Sequence, residues 1–404
     1  MEPMRAARVV IARSVLEHAP SRARLMAMLP YVQAERTDTL DDDEVERLLL
    51  ELGPREGRPR GGLEGRGRAK DLVAFARFGA GSAVREVFPG YSWQELRNGR
   101  MQAEEHGVLC QTAIEVQSVV GCPFDCAYCP YTSFVCVRLD VETFVDQVEA
   151  LVRSRPSQTL WKLNNRSDTL ALEPEYGLAQ ALVERFATFD EAQLLLYSKG
   201  DSVEHLVGLE HRRRTAASFT ITPEPIAAVL EQGARPPAAR IAALGTLYRA
   251  GYPTRVRFSP VVPLLGYREA YDTLLRQIAA VGTPELITMW SLSMVQLAEL
   301  PRILPLHALD PQALDEARAA EEAMRDDKGA PFPPATRARF YGEIGELIAR
   351  HLPDTRISLC LEAEGVWDTL GPMLPAREHG GFVCNCGPRA TSELIRIAGR
   401  PSRA

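Results

Sequence analysis

The sequence has no surplus of positive charge, no long apolar run and few cysteines. Its 47 Lys and Arg stand against 53 Asp and Glu, a formal net charge of −6, whereas a dedicated nucleic-acid binder usually carries a basic excess. Any contact with nucleic acid must then come from a local patch. No window approaches the roughly eighteen uninterrupted apolar residues that a membrane helix needs. The stretch from Met1 to Glu17 offers only Val9-Val10-Ile11-Ala12, so no membrane span, no signal peptide and a cytoplasmic location are expected. Eight cysteines among 404 residues are far from disulfide-scaffold density. They are bunched, and bunched cysteines in a reducing compartment point to metal. There is no Gly-x-Gly-x-x-Gly after a strand, no phosphate-loop motif and no His-Glu-x-x-His, which removes those nucleotide and zinc-peptidase readings.

What is present is ordinary globular composition, 46% hydrophobic and 25% charged, enough chain for one large domain with extensions or two medium ones. Three regions are expected. Residues 1–111 read as a helical accessory region, with helices over Arg5–His18, near Arg22–Glu35 and over Glu44–Leu52, the last opened by Asp41-Asp42-Asp43. Within it, 53–71 carries six Gly, two Pro and six basic residues against three acidic ones, the composition of a solvated loop or linker. The run Arg212-Arg213-Arg214 likewise reads as a solvated face, with phosphate binding as the alternative.

Residues 112–300 alternate short β-rich runs with helix-length amphipathic stretches, the pattern of βα units around a parallel sheet. Strands are expected at Ala113–Val119, Thr159–Leu163, Gln193–Tyr197, Ser218–Thr222, Thr254–Val262 and Leu286–Leu292. Helices are expected at Val141–Val152, Glu175–Phe186, Ser202–Leu209, Pro236–Ala250 and Glu269–Ala280. Six strands are too few to close an eight-stranded barrel, so the expected fold is α/β, a partial (β/α)6 barrel with its ligands at the carboxyl ends of the strands. Residues 301–404 read as a C-terminal α+β extension, with helices Pro311–Asp327 and Arg337–His351, a strand-like Arg356–Leu361 and a tail containing Cys384-Asn385-Cys386.

The chemistry concentrates in Gly121-Cys122-Pro123-Phe124-Asp125-Cys126-Ala127-Tyr128-Cys129-Pro130, directly after the first strand. The spacing C-x3-C-x2-C can present three thiolates to three corners of an iron–sulfur cubane, leaving one iron open to a substrate or cofactor. Zinc with a distant fourth ligand, or buried thiols with no metal, fits the same spacing.

This triplet after the first strand of a partial barrel resembles the radical S-adenosylmethionine superfamily, which has the same spacing and an aromatic before the third cysteine, here Tyr128. The resemblance implies that Cys122, Cys126 and Cys129 hold a [4Fe–4S] cluster whose open iron binds S-adenosylmethionine. A narrower resemblance covers roughly Ile114 to Val281. It rests on Leu163-Asn164-Asn165-Arg166-Ser167-Asp168, Tyr197-Ser198-Lys199, Ser218-Phe219-Thr220-Ile221-Thr222, Ala250-Gly251-Tyr252-Pro253 and Ser259-Pro260-Val261-Val262-Pro263. This order is similar to the spore photoproduct lyase family of DNA-repair enzymes and its relatives. By that resemblance Ser167, Asp168, Lys199 and Thr220 line the cofactor, and an external one-electron donor such as flavodoxin or ferredoxin is implied. A helix cap is the structural alternative for Ser167 and Asp168, and a solvated lysine for Lys199.

Two positions depart from the family. Where its lesion-cleaving members carry a hydrogen-donating cysteine this chain has Asn165, and where they carry a tyrosine it has Pro130. An asparagine N–H bond is too strong for that transfer, so Asn165 is expected to hydrogen-bond substrate or cofactor. The expected substrate is a small molecule, nucleoside or peptide, with nucleic-acid repair as the alternative and a non-catalytic metal-binding module as a third reading. Cys384 and Cys386, with Cys360 on the preceding strand, are candidates for a second metal site or a substitute hydrogen donor, with plain tail thiols as the alternative. Cys110 and Cys136 are expected to be structural.

Overall fold

The computed structural model describes residues 4–52, 70–75, 93–97, 99–111, 113–129, 131, 134–374 and 384–386. They fall into two compact units. The first comprises Met1–Leu96, Ile114–Thr215 and Gln232–Ala234, the second Arg97–Ala113, Ala216–Glu231 and Arg235–Ala404.

In the first unit the chain begins with a strand, Met4–Ala12, instead of the expected helix over Arg5–His18. The β-branched run Val9-Val10-Ile11 is almost fully buried, and such residues fit a pleat better than a helix turn. The strand pairs in parallel with Val32–Ala34, Thr37–Leu40 and Lys70–Phe75, and the last pairs with Phe134–Arg138. The accessory region is therefore α/β. Helix Asp42–Leu52 opens with three acids as expected. Of the basic Gly-rich loop, 53–69 lies outside the described residues.

Seven parallel strands carry the rest: β1 (Ala113–Val116), β2 (Leu160–Leu163), β3 (Gln193–Ser198), β4 (Thr215–Thr220), β5 (Thr254–Val261), β6 (Leu286–Ser291) and β7 (Arg356–Leu359). In the first unit β2 lies between β1 and β3. Their residues are buried on both faces apart from the half-buried Gln193, as parallel strands covered by helices must be. Helix Val141–Ser154 buries Val141, Phe144, Val145, Val148 and Val152 along one stripe. The helix expected over Ser202–Leu209 is a single turn, Glu204–Leu206, because only seven residues separate Gly200 from Gly208.

In the second unit the order is β4-β5-β6-β7. The α/β class and the mostly parallel sheet are as expected, but the count of six strands is corrected to seven. The segment assigned to a separate extension supplies β7, reached through helix Pro334–His351, which buries Phe340, Tyr341, Ile344 and Ile348. Burying that stripe requires a sheet face, which makes 334–359 a further helix-strand unit of the same fold. Among the described residues no helix is long and apolar enough to cross a membrane.

Candidate active site

The three cysteines follow β1 in the first unit. The chain turns at Gly121, whose φ is +82° and where a Cβ would lie 1.8 Å from the Phe134 carbonyl oxygen. Only glycine fits there. Its N–H donates to the Arg166 carbonyl, the Cys122 N–H to the Tyr131 carbonyl and the Cys129 N–H to the Cys126 carbonyl, all at 2.8–3.1 Å. These bonds fold the loop back on itself, so that Cys122, Tyr128 and Cys129 pack with Cys126 around Phe124 and Ala171. All three cysteines are free of disulfides.

Asp168 follows β2 and is buried. Its Oδ1 accepts from Ser198 Oγ at 2.6 Å and from the Leu170 N–H at 3.0 Å, and its Oδ2 accepts from the Lys199 N–H at 2.6 Å. Burial raises its pKa against these bonds. The Asp168 carboxylate thus ties the end of β2 to the end of β3. Lys199 extends from that junction with Nζ 5.5 Å from the centre of the Tyr128 ring, a cation–π distance. Ser167 Oγ is buried with no hydrogen-bond partner, although its N–H donates to the Asn164 carbonyl.

Asn165 enters a buried polar network that was not foreseen. Its Nδ2 donates to Glu115 Oε2 at 2.8 Å, and its Oδ1 accepts from Lys162 Nζ at 3.2 Å and from the Tyr197 hydroxyl. Glu115 and Lys162 form an ion pair at 2.9 Å, both about 2% exposed. The signal was present in the sequence as a lone acid in Ala-Ile-Glu-Val and a lone base in Leu-Trp-Lys-Leu, because a charge inside a two-sided strand needs a buried partner.

The remaining candidates lie in the second unit. Thr220 ends β4, and its carbonyl accepts from Arg240 Nη1 at 3.0 Å. Cys384 is buried, Cys360 and Cys386 are half-buried, and none is in a disulfide. Asn385 is buried: its Oδ1 accepts from Ser218 Oγ at 2.8 Å, and its carbonyl accepts from Arg255 Nη1 at 2.6 Å. Cys136 is buried in a strand, and burial raises its thiol pKa. Pro130 lies outside the described residues. Arg212 and Arg213 adopt positive φ in an exposed turn, and Arg212 Nη1 donates to the Ala187 carbonyl.

The site fits a cluster with a bound cofactor. Three thiols pack in one cluster, and Ser167 Oγ is a buried polar atom without a hydrogen-bond partner. Among the described residues no three Cys, His, Asp or Glu side chains converge to hold a single metal ion. Thiolates that each bind a different iron of a cubane do not need to.

Residues 111–297 match the family model for spore photoproduct lyase. Spore photoproduct lyase of Bacillus subtilis (strain 168) is 25% identical over 167 residues, 40% of this chain and 49% of that protein, so the chain spans about half the length of the curated relative it matches. Among solved structures, a doubly substituted spore photoproduct lyase with bound AdoMet and dinucleoside spore photoproduct superposes with a TM-score of 0.56 at 15% identity, over 88% of this chain and 99% of that one. A spore photoproduct lyase complexed with dinucleoside spore photoproduct gives 0.57 at 16%, over the same shares. The fold is shared with these structures, and residues 111–297, under half of this chain, are similar to the spore photoproduct lyase family.

Proposed function

We propose that this chain is a radical S-adenosylmethionine enzyme acting on a nucleoside-containing substrate and reduced by an external one-electron donor of the flavodoxin or ferredoxin class. The observation that carries this is the convergence, within one unit, of the cysteine loop with the ends of β2 and β3 through the Lys199–Tyr128 contact. Cys122, Cys126 and Cys129 hold a [4Fe–4S] cluster. When bound, the cluster and S-adenosylmethionine supply a 5′-deoxyadenosyl radical. The chain's own residues bind and orient. The Lys199 ammonium suits the methionine carboxylate of the cofactor, and the Tyr128 ring holds it over the loop. Asp168, fixed by Ser198 and two backbone N–H groups, keeps those elements in register, and the Ser167 hydroxyl is available to the cofactor. Phe124 and Ala171 keep water from the thiols.

The nucleoside end of the expected substrate range is favoured because the relatives above carry a dinucleoside lesion. Repair of that lesion in DNA is the second reading, and the same ligand supports it. Against it stands Asn165, whose amide is engaged by Glu115, Lys162 and Tyr197 and cannot return a hydrogen atom.

The test is anaerobic reconstitution with iron and sulfide, reduction with dithionite and chromatography of the cofactor products. Methionine and 5′-deoxyadenosine are expected from the native chain and not from Cys122→Ala/Cys126→Ala/Cys129→Ala. Absence of any cofactor cleavage by the native chain overturns the proposal. Turnover of dinucleoside spore photoproduct decides for the repair reading, and cofactor cleavage without it decides for another nucleoside.

A further inference from the structure

The pleat of the first unit sorts the side chains of its strands onto two faces. Parallel register sets Lys162 of β2 beside Glu115 of β1 and beside Leu195 of β3. Alternation puts Tyr197, two residues past Leu195, on that same face and carries it on to Gln117, the residue after β1. The opposite face holds Ile114, Val116, Trp161 and Leu163, all buried and apolar. A parallel sheet covered on both sides is ordinarily apolar on both, so a face bearing Glu115, Lys162 and Tyr197 serves something besides packing.

At the carboxyl end of β2 the chain makes a turn, Asn164–Ser167, closed by the Ser167 N–H on the Asn164 carbonyl at 2.9 Å. Two carboxamides meet this turn, and each has its oxygen held. Gln117 Oε1 accepts from the Arg166 N–H at 3.4 Å. That bond fixes which end of the amide is which, because an N–H must face an acceptor. Gln117 is 4% exposed, and among the described residues its Nε2 has no hydrogen-bond partner. Asn165 Oδ1 accepts from Lys162 Nζ and from the Tyr197 hydroxyl, while Nδ2 gives one hydrogen to Glu115 Oε2 at 2.8 Å. An amide nitrogen carries two hydrogens, so one N–H of the half-buried Asn165 is unspent among the described residues. Lys162 Nζ lies 5.6 Å from the centre of the Tyr197 ring, which ties together the two donors that hold the Asn165 oxygen.

We propose, on the basis of the nucleoside reading above, that Gln117 and Asn165 read the substrate's base by donating their unspent amide N–H groups to ring carbonyl oxygens. The substrate is then a nucleoside whose base carries such carbonyls. Both groups are neutral donors with their oxygens engaged by the protein, so they match a carbonyl and oppose an exocyclic amino group, which would set donor against donor. A buried donor left unpaired is costly, and a ligand carbonyl removes that cost. Sites built in this way discriminate strongly against analogues that lack the matching group. Glu115, Lys162 and Tyr197 are positioning residues, which act through the Asn165 amide.

The test is equilibrium dialysis of the full chain, reconstituted anaerobically with iron and sulfide and saturated with S-adenosylmethionine. The probes are uridine, whose base has ring carbonyls, and adenosine, whose base has none. The native chain is expected to hold uridine at least about tenfold more tightly than adenosine. Equal affinities, or no uridine bound at millimolar concentration, overturn the proposal. Gln117→Met keeps the length of the side chain without the donor, and is expected to weaken uridine binding about tenfold and leave adenosine within about twofold. Asn165→Ala is expected to act likewise, and Tyr197→Phe to lower the preference for uridine by a smaller factor. A merely structural role would weaken both nucleosides alike, and that result in folded Gln117→Met and Asn165→Ala overturns the assignment of these residues. Should either variant fail to fold, the preference of the native chain and the remaining variant decide. Binding is read without turnover, so the two readings fail separately. Cofactor cleavage with equal nucleoside affinities sinks this inference alone, and a preference for uridine without cofactor cleavage sinks the radical reading alone.

Discussion

The Lys199 ammonium stands 5.5 Å from the centre of the Tyr128 ring, joining the end of β3 to the cysteine loop after β1. If this contact orients the lysine towards the cofactor carboxylate, Lys199→Ala weakens S-adenosylmethionine binding about tenfold, the worth of one charge-assisted pair. Tyr128→Phe preserves the ring face and leaves affinity within about twofold. Equilibrium binding to the anaerobic protein reads both. Equal losses for the two variants would show that the hydroxyl, not the ring, is what matters.

Gly121 has no room for a side chain, since a Cβ would lie 1.8 Å from the Phe134 carbonyl oxygen at a φ of +82°. Gly121→Ala is expected to cost more than about 2 kcal/mol and to abolish iron binding at the first site. Thermal melting and iron analysis of the purified variant test this. A variant with native melting and iron content would mean that the loop can turn another way.

Glu115 and Lys162 form the buried pair beneath Asn165. Lys162→Met leaves a buried carboxylate without its cation and is expected to cost about 3–5 kcal/mol. Glu115→Leu/Lys162→Met removes both charges and regains most of that loss. Asn165→Ala removes one bond to each partner and costs about 1–3 kcal/mol. Urea unfolding of the three variants gives the ordering, and a double variant worse than the single one would refute it.

Glu173 caps helix Leu178–Phe186, its carboxylate accepting from the Gly177 and Ala179 N–H groups at 2.8 and 2.9 Å. Burial nevertheless raises its pKa from 4.5 to about 7. The folded state therefore holds this proton more tightly than the unfolded chain, and the stability it contributes is full at low pH and lost as pH rises through about 7. The loss amounts to at most about 3 kcal/mol. Denaturation at about pH 5 and about pH 8 is expected to show this fall in the native chain and not in Glu173→Gln. Equal slopes in the two proteins would place the titration elsewhere.

The cysteine motif, the α/β alternation and most of the seven strands are legible in the sequence because each depends on neighbours within a few residues. The triplet's spacing lies in one loop, and apolar runs bounded by turn residues announce strands wherever the chain folds locally. The strand Met4–Ala12 is not legible locally, because its charged flanks imitate an amphipathic helix while its pairing strands lie as far away as Lys70–Phe75. Strand β7 reads as part of an extension because nothing local to Arg356–Leu359 reveals that its partner is Leu286–Ser291.

By itself the sequence determined which thiols form a local loop after the first strand and that residues 111–297 are similar to the family model for spore photoproduct lyase. Tertiary structure alone decided that Lys162 neutralises Glu115 across 47 positions and that Asn385 is held by Ser218 across 167. Buried charges and thiols are stable only with partners, and the chain closes the loops that bring those partners together only once the parallel strands have paired.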